Sequence, residues 1–385
     1  MKTQTSTQTK VQNKFQRNLK TIFWLVRREW WEYPAMFKWL PVVVASLIAV
    51  SVLCMVIVMS MANEDKRFIG TFYMPGNQPL ADYVPGNVSA GEPRKAPSGD
   101  EIEKDLIKFK DRSLVKMSAD LTPIQMRRFE NVVATWFTNL SMPVFILFGL
   151  MAAFYASSNL HSERSDRSIL FWKSLPFSDT QAVLAKLMFV LIVAPLFALV
   201  VSFIAWLAAL LGVCIAYAAY GEWLFARFFM CVTTYTSPLS FLAIYPVYLL
   251  WSLPIFSWFF MVSAWAKKHA QALAFGFPFF MLLASVFVSK VQLFGMVLSE
   301  SVVEKGATWL SAVLLRQIAS IFPGSWFYFQ RDAGLTIWEN NRVNINLLVS
   351  NSWGSLAEPQ VWIAFVISIG FILVTIRLRK TGVEI

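Results

Sequence analysis

Six long stretches of this chain hold no charged residue: 40–61, 140–160, 187–211, 239–262, 270–289 and 360–376. A helix rises 1.5 Å per residue, so roughly 20 residues cross a hydrocarbon core of about 30 Å. Inside lipid every backbone N–H and C=O needs a partner within the protein, which for single runs of this length means helix. Pro195, Pro246, Pro254 and Pro278 fall inside the runs and are tolerated there as kinks. The expected fold is therefore an all-α integral membrane protein with six transmembrane helices. Composition agrees: 57% of residues are hydrophobic and only 15% charged, with a mean hydropathy of +0.54. The net charge of +11 would suggest nucleic acid in a soluble chain. Here the basic residues cluster beside apolar runs, so membrane topology accounts for them and no nucleic-acid partner is expected.

Those basic residues also orient the spans. With the N-terminus in the cytoplasm, the inner segments hold Arg27, Arg28 and Lys38, then Arg164, Arg167, Lys173 and Lys186, then Lys267 and Lys268, and last Arg377, Arg379 and Lys380. The short outer connection 212–238 holds only Arg227. This is the positive-inside asymmetry, and it places both termini in the cytoplasm.

The remaining segments follow from that frame. Residues 1–12 read as a disordered tail, with no cleavable signal peptide expected. Residues 13–39 read as a basic amphipathic helix on the cytoplasmic leaflet, with Phe15, Leu19, Ile22, Phe23, Val26 and Trp30 on the face turned to the acyl boundary. The alternative is the same helix packed on protein. Residues 62–139 and 290–359 are long extracytoplasmic segments, the first helical in pattern from Glu101 with a break near Pro123, the second interrupted at Pro323 and Gly324. Residues 161–186 and 263–269 are cytoplasmic loops, and 377–385 a cytoplasmic tail. Gly149, Ala153 and Ser157 on one span, and Ala208 with Gly212 on the next, offer close helix approach. Trp251 and Trp258 share a face and read as packing, as does the aromatic run from Phe275 to Phe280.

Motifs for catalysis are missing. There is no Gly-x-x-x-x-Gly-Lys-Ser/Thr phosphate cradle, no His-Glu-x-x-His helix and no Gly-x-Ser-x-Gly elbow. Two histidines and cysteines at 54, 214 and 231, all in or beside apolar runs, do not make a metal pattern, and the cysteines read as small buried hydrophobes. The span cores carry no Asp, Glu, Lys, Arg or His, which disfavours an ion-coupled carrier. The chain is not expected to be an enzyme.

The segment 161–186 holds the most information. Ser178 followed by Gln181 has capping-box spacing, so a helix is expected to begin at Asp179, whose charge suits the helix dipole. Pro176 separates it from Ile169–Trp172, a short amphipathic piece. Glu163, Arg164, Asp166 and Arg167 alternate in sign just after a span. They read either as a solvated helix end with weak local ion pairs or, beside Leu170, Phe171 and Trp172, as a surface for a partner.

The words of this segment, DRSILFWKSLPFSDTQAVLAKL, resemble the loop between the second and third membrane helices of bacterial ABC-2 type transporter permeases, where D-R-S, L-P and S-D-T recur in that order. RREWWEYP at Arg27–Pro34 and the six apolar runs are similar as well. The resemblance implies an exporter subunit in the bacterial inner membrane. It would form the pathway with a second permease copy or a homologous permease, and it would bind no cofactor itself, using ATP through separate ABC ATPase subunits. It further implies that Glu163, Arg164, Asp166, Arg167, Leu170, Phe171, Trp172, Ser178 and Asp179 lie in the ATPase-coupling loop. Arg27, Arg28, Glu29 and Trp30 would lie in the interfacial helix. Two rival readings are a membrane enzyme acting on lipid or envelope precursors through its outside loops, and a non-transporting membrane anchor for an ATPase.

Overall fold

The computed structural model describes residues 20–34, 38–61, 123–175, 177–219, 225–290, 302–322, 338–339, 342–343 and 345–381. The tail at 1–12, the stretch 62–122 with Glu101, and the break at Pro323 and Gly324 lie outside the described residues. Almost everything described is helix. The exception is a pair of two-residue strands, in which β1 (Trp338–Glu339) pairs antiparallel with β2 (Arg342–Val343).

In chain order, α1 covers residues 20–32, α2 is Leu40–Met61, α3 is Pro123–Ser165 and α4 is Ser168–Ser174. Next, α5 (Asp179–Met188) runs through a π-helical turn at Phe189–Val193 into α6 (Ala194–Ala219). Beyond them lie α7 (Phe225–Met230), α8 (Val232–Trp265), α9 (Ala270–Lys290) and α10 (Val302–Ala319). The chain ends with α11 (Ile345–Gly354), a 3-10 turn at Ser355–Ala357, and α12 (Pro359–Thr381).

Among the described residues, five helical stretches are long and apolar enough to cross a membrane: Val133–Ser165, Asp179–Ile215, Val232–Trp265, Ala270–Phe287 and Pro359–Thr381. This is the build of a multi-pass membrane protein. At the first expected span, α2 is helical over its 22 residues and apolar throughout Pro41–Cys54. Large apolar side chains stand exposed along these helices, including Ile204, Phe280, Phe287, Val366 and Leu373. Exposed apolar side chains in this number are stable against acyl chains and unfavourable in water. Polar residues within the spans are accommodated by bonding their own helix: Thr138 to Ala134 O at 2.9 Å, Ser158 to Phe154 O at 2.7 Å and Thr375 to Phe371 O at 2.7 Å.

The chain divides into two units. In the first (1–47, 130–206 and 232–385), α8 packs lengthwise on α12 and also meets α9, α10 and α11. Trp251, mid-helix in α8, is the centre of that packing: its indole N–H donates to Ser355 Oγ at 3.2 Å, and the Arg316 guanidinium lies 4.8 Å from its ring. Trp258 donates to Ala274 O at 3.1 Å between the rings of Phe277 and Phe371. Both tryptophans are packing residues, as their spacing led one to expect. The second unit (48–129 and 207–231) holds the later part of α2, the end of α6, and α7. There Val52 faces Gly212, where a Cβ would stand 3.9 Å from Val52 Cγ1, an ordinary van der Waals contact. Cys214 and Cys231 are buried free thiols, whereas Cys54, expected to be buried, is exposed on α2.

The interfacial helix differs from expectation. Of the face expected at the acyl boundary, Ile22, Val26 and Trp30 are half-buried against protein, Trp30 with Phe197 at 4.6 Å and Phe189 at 6.4 Å, while Phe23 is exposed. The cause is that aromatic partners from the π-turn and α6 are available on that side, together with Lys186 of α5, which pairs with the neighbouring Glu29.

Candidate functional site

Glu29, only 1% exposed, belongs to a buried cluster of charges that joins the ends of four helices. Lys186 of α5 is its centre. The Lys186 ammonium stands 3.0 Å from Glu29 Oε1 of α1 and 2.9 Å from Glu163 Oε1 of α3, and donates also to Asn159 Oδ1. Its three protons thus have three acceptors, the full capacity of an ammonium. Glu163 Oε2 accepts from Arg379 Nη1 of α12 at 2.6 Å, and Arg379 Nε reaches Asp179 Oδ1 at 3.1 Å. The Tyr155 hydroxyl donates to Glu29 Oε2 at 2.5 Å, and Asn159 Nδ2 donates to the Tyr33 hydroxyl at 3.2 Å. Three cations, Arg28, Lys186 and Arg379, face three carboxylates, Glu29, Glu163 and Asp179, and a fourth, Glu32, joins at the rim through Arg28 at 3.4 Å, so among the described residues acids outnumber bases by one.

Local sequence explains the placement. Ser178 accepts from Gln181 N at 3.2 Å while Gln181 Oε1 accepts from Ser178 N at 3.0 Å, a complete capping box that starts α5 at Asp179. Leu175, before the proline, is extended at φ −86° and ψ 149°, which ends α4. With its start fixed, α5 presents Lys186 two turns later, on the side where Ala182, Val183 and Ala185 are buried.

Electrostatics hold Glu29 ionised. Burial pushes its carboxyl up, but Lys186, then Arg28 and the Tyr155 hydrogen bond, more than offset that and leave it below the ordinary range. A carboxyl lowered in the folded chain contributes stability that is fully present above its unfolded value of about 4.3 and lost as pH falls through the folded value. Thermal midpoints in neutral detergent should therefore be flat from about pH 7 to 5 and fall below about pH 4. Glu29→Gln should be less stable at pH 7 and should lose part of that acid slope. A variant slope equal to the native one would remove Glu29 from this role.

Above the cluster sits α4. Arg28 connects the two, its guanidinium 3.9 Å from the centroid of the Trp172 ring while it also pairs with Glu29 and, at 3.4 Å, with Glu32. Ile169 is buried beneath α4, and Lys173 Nζ donates to Lys380 O of α12 at 3.3 Å. Leu170 and Phe171 point away, 57% and 61% exposed. The chain reverses into α4 at Arg167, which takes the left-handed conformation at φ 57°.

The residues singled out in the sequence thus separate into groups. Leu170 and Phe171 are on the open face of α4, with Asp166 and Arg167 exposed at its start and Ser178 exposed as the cap of α5. Glu163 and Asp179 are engaged in the cluster, as are Arg28 and Glu29, and Trp172 lies under Arg28. Arg164 turns away and closes the end of α8, donating to Ser263 O at 2.7 Å and Ala266 O at 2.9 Å, where a cation suits the helix dipole. Trp30 packs on the π-turn and α6, and Arg27 lies exposed over Trp24 at 5.1 Å. Lys186, Arg379, Tyr155 and Asn159 had not been marked as site residues. Lys186 and Arg379 had figured only as positive-inside charges, although a single lysine between Ala185 and Leu187 is a signal for a buried partner. Among the described residues no group of His, Cys, Asp and Glu could hold a metal ion.

Comparison with protein-family models, with characterised proteins and with solved structures gives no match to this chain.

Proposed function

We propose that the chain is the membrane permease subunit of an ATP-driven exporter of the ABC-2 type, in the inner membrane of a bacterium. It has six spans, both termini in the cytoplasm, an interfacial helix at 13–39 and extracytoplasmic segments at 62–139 and 290–359. Two permease copies, or this chain and a homologous permease, form the pathway. Separate ATPase subunits on the cytoplasmic side hydrolyse ATP, and the chain itself holds no nucleotide.

The observation that favours this reading is the mounting of α4. A short helix with Leu170 and Phe171 exposed is fixed through Arg28 to a cluster that also grips α1, α3, α5 and α12. A push on α4 by a partner would reach four helices at once. This is what a coupling element requires, and the sequence here is the stretch similar to the ABC-2 loop. The residues then act in succession. Leu170 and Phe171 receive the partner, Arg28 and Trp172 pass on displacement, and Lys186 with Glu163 and Arg379 keeps the helix ends moving together.

The test is affinity purification of the tagged chain from mild detergent, with mass spectrometry of what accompanies it. A P-loop ATPase should come with the native chain. Leu170→Ser with Phe171→Ser should reduce its recovery by roughly thirtyfold, the scale of losing an interface anchor, while the chain still runs as a single species, because both residues are exposed and Phe171 approaches the cluster only through the edge of the Trp172 ring at 5.0 Å. Absence of any ATPase from the native chain would overturn the proposal.

A further inference from the structure

One face of α1 has its partners inside the chain, and the other has none among the described residues. Leu25 and Glu29 are buried and Trp30 lies on Phe197. On the opposite side Lys20, Trp24, Arg27 and Trp31 recur at one-turn spacing and are all exposed, with Phe23 beside them. Phe23, Trp24 and Trp31 keep 65%, 62% and 65% of their surface open. The Arg27 guanidinium lies 5.1 Å from the Trp24 ring, and the theme repeats at Lys38, whose Nζ lies 5.7 Å from the Trp39 ring. The acids of α1 do not balance this stripe, because Glu29 and Glu32 both pair with Arg28 on the other flank.

We infer that the Lys20–Trp24–Arg27–Trp31 face binds the headgroups of anionic phospholipids in the cytoplasmic leaflet, with Lys38 and Trp39 extending the contact. The inference rests on the topology proposed above and not on the ATPase. Three observations select this occupant. Tryptophans have an apolar ring and a polar N–H, and they gather at the headgroup level. Cations without neighbouring acids complement anionic lipid, each strengthening attachment roughly fivefold. Trp39 also leads within a few residues to Val42 and Val43 of α2, which are exposed and apolar, so the headgroup plane falls next to this stripe. Phosphatidylglycerol should therefore be held more tightly than phosphatidylcholine. Salt should weaken the preference, because the cations are exposed.

The experiment places the full chain in bilayer discs doped with photoactivatable phosphatidylglycerol or photoactivatable phosphatidylcholine, and maps adducts by mass spectrometry. Adducts on residues 20–34 should favour phosphatidylglycerol by roughly tenfold or more. Lys20→Gln with Arg27→Gln should remove that preference, while adducts on α2 at 42–53 stay unchanged and report that the chain is inserted. If the double variant fails to insert, the native chain at about 0.5 M salt serves instead and should lose most of the preference. Equal labelling of residues 20–34 by the two lipids, or none there beside normal labelling of α2, overturns the inference. So does protection of residues 20–34 by added ATPase with no lipid preference in its absence, which would make this a protein-docking face. A chain that shows the lipid preference yet recovers no ATPase would defeat the exporter reading alone.

Discussion

Lys186→Met should be among the most damaging single substitutions in the chain. It removes the ammonium shared by Glu29 at 3.0 Å and Glu163 at 2.9 Å, leaving two buried carboxylates close together. Removing one partner from a buried ion pair is destabilising by about 3–5 kcal/mol, far above the at most ~1 kcal/mol of an exposed pair. The loss should appear as a large drop in thermal midpoint in neutral detergent, or as failure to run as a single species. Its pH dependence discriminates cause. Uncompensated carboxylates have raised folded pKa values, so the penalty is full at neutral pH and shrinks as pH falls toward their unfolded value of about 4.3. The gap between native and variant should accordingly narrow between about pH 7 and 5. Adding Glu29→Gln should restore part of the stability, since Glu163 retains Arg379 at 2.6 Å. Strict additivity of the two substitutions would mean that the residues do not act as a unit.

Most helix positions could be read from the sequence, and the cluster could not, for a physical reason. Apolar runs, the Ser178–Gln181 box and Pro176 act within a few residues, and α5 and α4 begin and end where those signals put them. The ion pairs of Lys186 span 157 residues to Glu29, and those of Arg379 span 216 to Glu163. Nothing in local pattern says which distant charge will be met. The same holds for α1. Periodicity identified an amphipathic helix, but which face meets protein was decided by Phe189, Phe197 and Lys186, residues of α5, its π-turn and α6. Arg164 shows the limit from the other side: its charge marked it for an exposed loop, while the unpaired carbonyls at the end of α8 claimed it. The short helix with Leu170 and Phe171 was legible because its amphipathic pattern and its breaks all lie within one segment.

Gly149 poses the opposite kind of question, since local propensity and tertiary packing disagree there. Glycine in mid-helix is about 1 kcal/mol less favourable than alanine, so Gly149→Ala taken alone would stabilise α3. A Cβ at this position would, however, stand 2.7 Å from Ile321 O and 2.7 Å from Phe322 Cδ1, with Phe322 Cα at 3.1 Å. The Phe322 ring can rotate away, but the carbonyl and Cα are backbone and move only with the turn that ends α10. That turn is anchored: Ser320 Oγ donates to Trp251 O at 3.0 Å, and Arg316, over Trp251, pairs with Glu358 at 2.5 Å. Overpacking against such a turn is destabilising by about 1–3 kcal/mol, which exceeds the propensity gain. Gly149→Ala should thus lower the thermal midpoint, and Gly149→Val should lower it more. Gly276→Ala and Gly370→Ala, where a Cβ meets nothing within 4 Å, should leave it unchanged or raise it by the propensity term. If Gly149→Ala proved as benign as those two, the close approach of α10 to α3 would be wrong. If it is destabilising, the turn at 320–322 is seated on α3 through a contact that only glycine permits, and the small-residue row Gly149, Ala153 and Ser157 serves packing within one chain at its first position.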